Sequence, residues 1–194
     1  MTDIQLRRAI QYVAIANLAY FGVEFAVAVV IDSVSLFADS VDFLEDASVN
    51  LLILLALGWS LKARAKVGMF LASLLLIPGI ATVWMAWTKY HSLTPPEPFA
   101  LSIAGLGALV VNVTCAFMLQ RFRHHKGSLT KAAFLSARND AFANIAIIGA
   151  GFTTAAIHSA WPDLIVGIAI ALMNAGAAFE VWEAARDEHL EAHS

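Results

Sequence analysis

Apolar residues run through this chain in long blocks, not in the alternation of strands or the one-sided stripe of a surface helix. Six blocks stand out, at 10–31, 34–60, 67–88, 99–120, 131–157 and 161–184. Each is close to or above the ~20 residues an α-helix needs to cross a bilayer core. Only helices and closed barrels satisfy their backbone groups in lipid, and the period-two pattern of a barrel strand is missing. The pattern predicts an all-α, polytopic membrane protein with six transmembrane helices. Short connections separate the blocks, and the longest, HSLTPPEPF at 91–99, is broken by Pro95, Pro96 and Pro98. Pro78 falls inside the third block and predicts a kink there.

Composition agrees: 60% of the 194 residues are hydrophobic and 14% charged, too little polar surface for a soluble fold. The charges that remain set an orientation. Arg7 and Arg8 precede the first block, and Lys62, Arg64 and Lys66 follow the second. Arg121, Arg123, Lys126 and Lys131 separate the fourth from the fifth, and Arg186 follows the sixth. The opposite side holds only Lys89, so the positive-inside rule places both termini in the cytoplasm. Trp84, Trp87, Tyr90 and Trp161 fall at the outer ends of their blocks, and Trp59 and Trp182 at the inner ends, as an interfacial belt would. The first block contains Asn17 and Glu24, which argues for a span and against a cleaved leader. A single cysteine, Cys115, excludes an internal disulfide and a cysteine metal site, and no basic patch points to nucleic acid. The whole of 1–194 reads as one transmembrane domain, with no soluble C-terminal domain.

Against this background DSVDFLED, residues 39–46, stands out. Steps of four and seven residues turn about 400° and 700°, so Asp39, Asp42 and Asp46 share one side of a helix, while Glu45 lies off it. A lone Asp at the bilayer centre costs at least ~2.5–3.5 kcal/mol, and such acids face a bundle interior or a water-filled cavity. In the fifth block Ser136, Asp140 and Asn144 recur every four residues, placing hydroxyl, carboxylate and amide on one face. If the second and fifth spans run antiparallel, Asp42, Asp46 and Asp140 can enclose one site as anionic ligands, with Ser136 or Asn144 neutral. Oxygen-rich sites of two or three carboxylates bind divalent cations. Purely structural acids would need counter-charges. Arg138 is the only basic residue well inside a span, and it points ~160° away from Asp140.

These residues resemble the cation diffusion facilitator family of six-helix divalent-metal/proton antiporters. Its second-span signature runs Ala-Asp, then His or Asp three residues on, then Asp four later. Here Ala38-Asp39, Asp42 and Asp46 match it. Its fifth-span pair, His or Asp followed four residues on by Asp, falls on Ser136 and Asp140. WPDLIVGIAIAL at 161–172 resembles the family's start of span six, and Asn17 an Asn common in span one. The resemblance implies export of a divalent metal from the cytoplasm in exchange for protons, with Zn²⁺ foremost and Cd²⁺, Fe²⁺, Co²⁺ and Mn²⁺ as alternatives. It implies Asp42, Asp46, Asp140 and Ser136 as metal ligands, with Asp39, Asn144, Glu24 and Asn17 as secondary candidates. No prosthetic group and no enzymatic activity are expected, and a bacterial cytoplasmic (inner) membrane is the expected location.

Two departures are visible. Ser136 replaces the usual His or Asp, and the family's cytoplasmic C-terminal domain is expected to be missing. A homodimer would then be held by the spans, with Gly68, Ala72 and Ser73 as small packing residues. His124 and His125 in the cytoplasmic loop, and His189 and His193 in the tail, are candidate metal-collecting residues, though solvated histidines in a basic loop and a frayed polar terminus explain them better. Asn50, Asn112 and Asn174 are expected to hydrogen-bond between helices. Gly105, Gly107, Gly149, Gly151 and Gly176 are expected to let helices approach. A non-transporting membrane subunit or sensor, using its acids to bind partner helices, is the competing reading. An intramembrane enzyme is not supported, because no HExxH or Ser-His arrangement occurs.

Overall fold

The computed structural model describes residues 3–56, 79–120 and 128–191. All of the secondary structure among them is helical: α1 (Asp3–Ile31), α2 (Val34–Ala56), α3 (described over 79–92), α4 (Pro98–Gln120), α5 (Ser128–Ile157) and α6 (Trp161–Glu191). Pro78, Gly68, Ala72, Ser73, His124, His125 and His193 lie outside the described residues, and the side chain of His189 outside the described side chains. Helices α1, α4 and the 136–157 part of α5 are long and apolar enough to cross a membrane. Helix α2 is long enough, but Asp39, Asp42, Glu45 and Asp46 interrupt its apolar run.

Each tight turn has a local cause. Asp32 takes the left-handed conformation (φ 54°) that ends α1, and the Ser33 amide bonds back to the Ala28 carbonyl at 2.9 Å. Ser33 then caps α2, its Oγ accepting from the Leu36 amide at 3.2 Å. Leu93 (φ 47°) ends α3 and His158 (φ 51°) ends α5 by the same αL device. Glu97, just before Pro98, accepts from the Phe99 and Ala100 amides and so starts α4.

Helix α1 lies along α2 and α4 along α5, while α6 packs on α2 and α5. The distribution of polarity is the reverse of a soluble protein's. Val30 is 83% exposed and Leu172 70%, whereas Asn17, Glu24, Asp39 and Asn144 are fully buried. Apolar exteriors suit lipid, and polar groups retreat to the helix interfaces where they find partners. The apolar core around Leu36, Ala38, Leu101, Ala104 and Ile147 packs beside those polar residues. Trp84, Trp87, Tyr90 and Trp161 are all substantially exposed, and Tyr90 stacks edge-on against Trp161.

Glycines fit where helices nearly touch. A Cβ on Gly105 would lie 2.9 Å from Ile147 of α5. One on Gly107 would meet the Tyr20 hydroxyl, and one on Gly151 the Ser102 hydroxyl. Gly149 and Gly176 face open space, so close packing does not explain them. Gly167 was not singled out from the sequence, yet its Cβ would sit 2.7 Å from the Val34 and Ser35 backbone.

Candidate functional site

The second helix sits at the centre of the bundle, touching α1, α5, α6 and, lightly, α4. Its acidic side therefore faces other helices, and those helices answer with polar side chains at two depths.

At the deeper level, the Asp46 carboxylate joins three helices. Its Oδ1 accepts from Ser136 Oγ of α5 at 3.0 Å, and its Oδ2 from Asn17 Nδ2 of α1 at 3.4 Å. Asn17 is itself steadied by α4, the Cys115 thiol lying 3.7 Å from its Oδ1. Ser136 also lies within hydrogen-bonding reach of Asp140, one turn further along α5. Asp42 and Asp140 are near enough to repel each other, and Asp140 and Asp46 likewise. Among the described residues no three His, Cys, Asp or Glu side chains converge to metal-holding distance. The acids are gathered, and Ser136 occupies the space beside Asp46.

The shallower level lies seven residues, or ~10 Å, back along α2. Here Asp39 Oδ2 accepts from Asn144 Nδ2 at 2.6 Å, and Asn144 Oδ1 accepts from Asn112 Nδ2 of α4 at 3.0 Å. Glu24 of α1 faces Asp39. Both Glu24 oxygens, and Asp39 Oδ1, are buried with no hydrogen-bond donor. Of the eight candidates, Asp46, Ser136 and Asn17 gather at one depth and Asp39, Asn144 and Glu24 at the other, while Asp42 on α2 and Asp140 on α5 lie between the two and act on both.

Arg138 is exposed and donates to Asn139 at 3.4 Å, away from the acids. Glu45, off the acidic stripe, lines a cavity of about 950 Å³ between α2, α3 and α6 together with Thr82, Trp87, Trp161 and Asn174. Asn50 donates to the Asp46 carbonyl at 2.7 Å, a bond within α2 and not between helices. Asn112 and Asn174 do bridge helices, Asn174 reaching the Ala38 carbonyl at 3.2 Å.

One important group was not anticipated. Asp163, in the first turn of α6, is fully buried and receives Ser33 Oγ (2.7 Å), the Val34 amide (2.9 Å), the Ser35 amide (3.1 Å) and Ser35 Oγ (2.6 Å). It completes the N-terminal cap of α2 from across the bundle. The sequence signal was an acid in the first turn of a span set against two serines at the head of another, a pairing visible only once the two ends meet.

The family model of the cation efflux transmembrane domain matches residues 10–187, while no curated protein matches the chain. The match takes in both acidic levels, the Asp163 cap and every helix described above. Members of that family are transporters, not enzymes, and their cargo is metal cations. This integral membrane chain therefore belongs to the cation efflux family.

Proposed function

We propose that the chain exports a divalent metal ion, Zn²⁺ foremost, from the cytoplasm in exchange for protons, and that Asp42, Asp46, Asp140 and Ser136 bind the cargo. The observation that supports this best is the Asp46 carboxylate, held in mid-bundle by Asn17 and Ser136 beside two further acids. Neutral donors fix its orientation, and among the described residues no basic side chain pairs with it. Closer approach of α2 and α5 would bring Asp42, Asp46 and Asp140 around an ion, with Ser136 exchanging its bond to Asp46 for the metal. Three carboxylates and a hydroxyl form an all-oxygen shell that suits several divalent ions.

The exchange follows from charge. Two positive charges relieve the repulsion among these acids on one side of the membrane. On the other side protons relieve it instead, and a protonated carboxyl is a poor ligand, so the metal leaves. Small residues along the spans suit a homodimer sealed within the bilayer, and a bacterial inner membrane is the proposed setting.

Purified protein in proteoliposomes tests the reading. Metal-driven proton movement is expected with the wild type and is expected to vanish in Asp46→Ala and in Asp140→Ala, with insertion and purification unchanged. Wild-type flux in both variants would remove these acids from the transport site.

A further inference from the structure

Helix α2 presents more than one face to the bundle. Asp46 meets α1 and α5, whereas Glu45, one step round the helix, turns into the cavity of about 950 Å³ between α2, α3 and α6. No described residue of α1, α4 or α5 lines that cavity, and neither Asp39, Asp42 nor Asp46 reaches it. Its volume falls at the upper end of the ~300–1,000 Å³ typical of small-molecule sites. The walls are mostly apolar, with Val41 from α2, Val83 from α3 and Leu164 and Ile168 from α6. At the outer end Trp87, Tyr90 and Trp161 supply aromatic rings, and the Tyr90–Trp161 edge contact, centroids 6.1 Å apart, bridges α3 to α6. Ile80, Val83 and Leu172 line the cavity and are also exposed on the apolar exterior, so it opens sideways toward lipid.

One side chain breaks this lining. Glu45 is the only acid in it, no Lys, Arg or His lines it, and the one ion pair among the described residues joins Lys89 to Asp32. Glu45 stands ~16 Å along α2 from its head at Val34, in the middle of the span. A carboxylate at that depth needs a partner. An occupant must therefore satisfy both the walls and the acid. A lipid acyl chain matches the walls and leaves the carboxylate alone. A metal ion matches the carboxylate but needs several more oxygens. Only Thr82, Tyr90 and Asn174 offer any from their side chains, and Asn174 is already tied to the Ala38 carbonyl at 3.2 Å. An organic cation with an apolar body satisfies both, its charge against Glu45 and its body against the aliphatic walls and the rings, whose faces attract cations.

We propose that this cavity binds lipophilic organic cations of the quaternary ammonium or phosphonium class, admitted sideways from the bilayer, with Glu45 as counter-charge and Trp87 and Trp161 as aromatic walls. The site stands apart from the acids assigned to the metal cargo and does not rest on that assignment. Recognition divides into two parts. The apolar walls take the body of any ligand that fits, whatever its charge. Glu45 supplies the selection, because an anion of the same shape would meet a buried like charge. Since α2, α3 and α6 all contribute lining residues, a bound cation also bridges the three helices.

Equilibrium binding of radiolabelled tetraphenylphosphonium to the purified full chain in detergent tests this. Saturable binding is expected, weakened about tenfold or more in Glu45→Gln, which keeps the shape and removes the charge. Tetraphenylborate, of the same shape and opposite charge, is expected not to bind saturably in a separate sample. Phosphonium affinity unchanged in Glu45→Gln overturns the proposal. So does equally tight borate binding, which would make the cavity a seat for lipid chains. Asp140→Ala is expected to keep phosphonium affinity within about threefold of wild type; its loss in folded protein would place the cation among the metal ligands and overturn the separate site. If Glu45→Gln does not fold, Ala171→Phe decides, since its ring fills the cavity from α6 without touching the acid. Wild-type affinity in that variant overturns the proposal, and a loss of about tenfold or more supports it.

Discussion

Asp163→Ala removes the carboxylate that ties the head of α6 to the head of α2. The Val34 and Ser35 amides, at 2.9 and 3.1 Å, would lose their acceptor in a buried position. Each orphaned donor costs ~1–3 kcal/mol, so the two together cost ~2–6 kcal/mol. The Ser33 and Ser35 hydroxyls can rotate to other acceptors and add little. In a chain of this length that loss lowers the melting temperature by roughly 10 °C. The protein carries its own reporter for the measurement: Cys115 is the single cysteine and is 1% exposed. A thiol-reactive fluorophore, silent until the bundle opens, therefore records unfolding in detergent on a heating ramp. Asp163→Asn is expected to fall between, because its Oδ1 still accepts while its N–H₂ opposes one amide. A melting temperature for Asp163→Ala within about 2 °C of wild type would show that the cap contributes nothing, and would refute this reading.

Three further perturbations follow from the same geometry. Gly167→Ala places a Cβ 2.7 Å from the Val34 and Ser35 backbone, an overpacking worth ~1–3 kcal/mol. Its effect on the same melting assay is expected to be less than additive with Asp163→Ala, since both open one contact. Ser136→His adds an imidazole beside Asp46 and Asp140 and is expected to raise Zn²⁺ affinity relative to Mn²⁺, read by calorimetric titration; unchanged relative affinities would place Ser136 outside the ligand shell. Lys89, fully buried, donates to the carbonyl and carboxylate of Asp32, and Lys89→Met is expected to cost ~1–2 kcal/mol, because Asp32 is half exposed and can turn to water. No change in melting would mean that water replaces the lysine at no loss.

Periodicity made much of this legible before any coordinates. The length of the apolar blocks dictates helices, and the three- and four-residue spacing of Asp39, Asp42 and Asp46 dictates a shared side. The Ser136-Asp140 step likewise predicted that α5 would answer α2, and Ser136 does bond Asp46. Depth was harder to read. A helical wheel collapses Asp39 and Asp46 onto one direction and hides the ~10 Å between them. The sequence alone therefore sets Glu24 and Asn144 beside the proposed metal ligands, whereas in the structure they gather around Asp39. Asp163 and Gly167 were hidden for another reason. Their roles depend on the head of α2, roughly 130 residues away, as the Asp163–Ser33 separation shows, and no local pattern reports a contact at that distance.

The placement of the polar bonds bears on how such a bundle can move. Helix α2 is fixed at its head by the Asp163 cap and along its length by extensive packing against α1, where the ring pairs Tyr20–Phe43 and Phe25–Phe37 accompany the single Asn17–Asp46 bond. Its seam with α5 is different. There α2 meets α5 over a short stretch, stitched by Asp46–Ser136 and, ~10 Å away, by Asp39–Asn144. Close-packed apolar interfaces resist sliding because every displaced methyl group opens a void. A seam of hydrogen bonds can part at much lower cost once water or an ion takes over its donors and acceptors. If Asp46 and Ser136 bind the cargo as proposed, the ligands are also the bonds that close the seam. A metal ion bound there would draw Ser136 and Asp46 to itself and remove a stitch, while the cap at the head of α2 stayed intact. The bundle is thus firmest at the α2–α6 end and most easily opened where the acids lie.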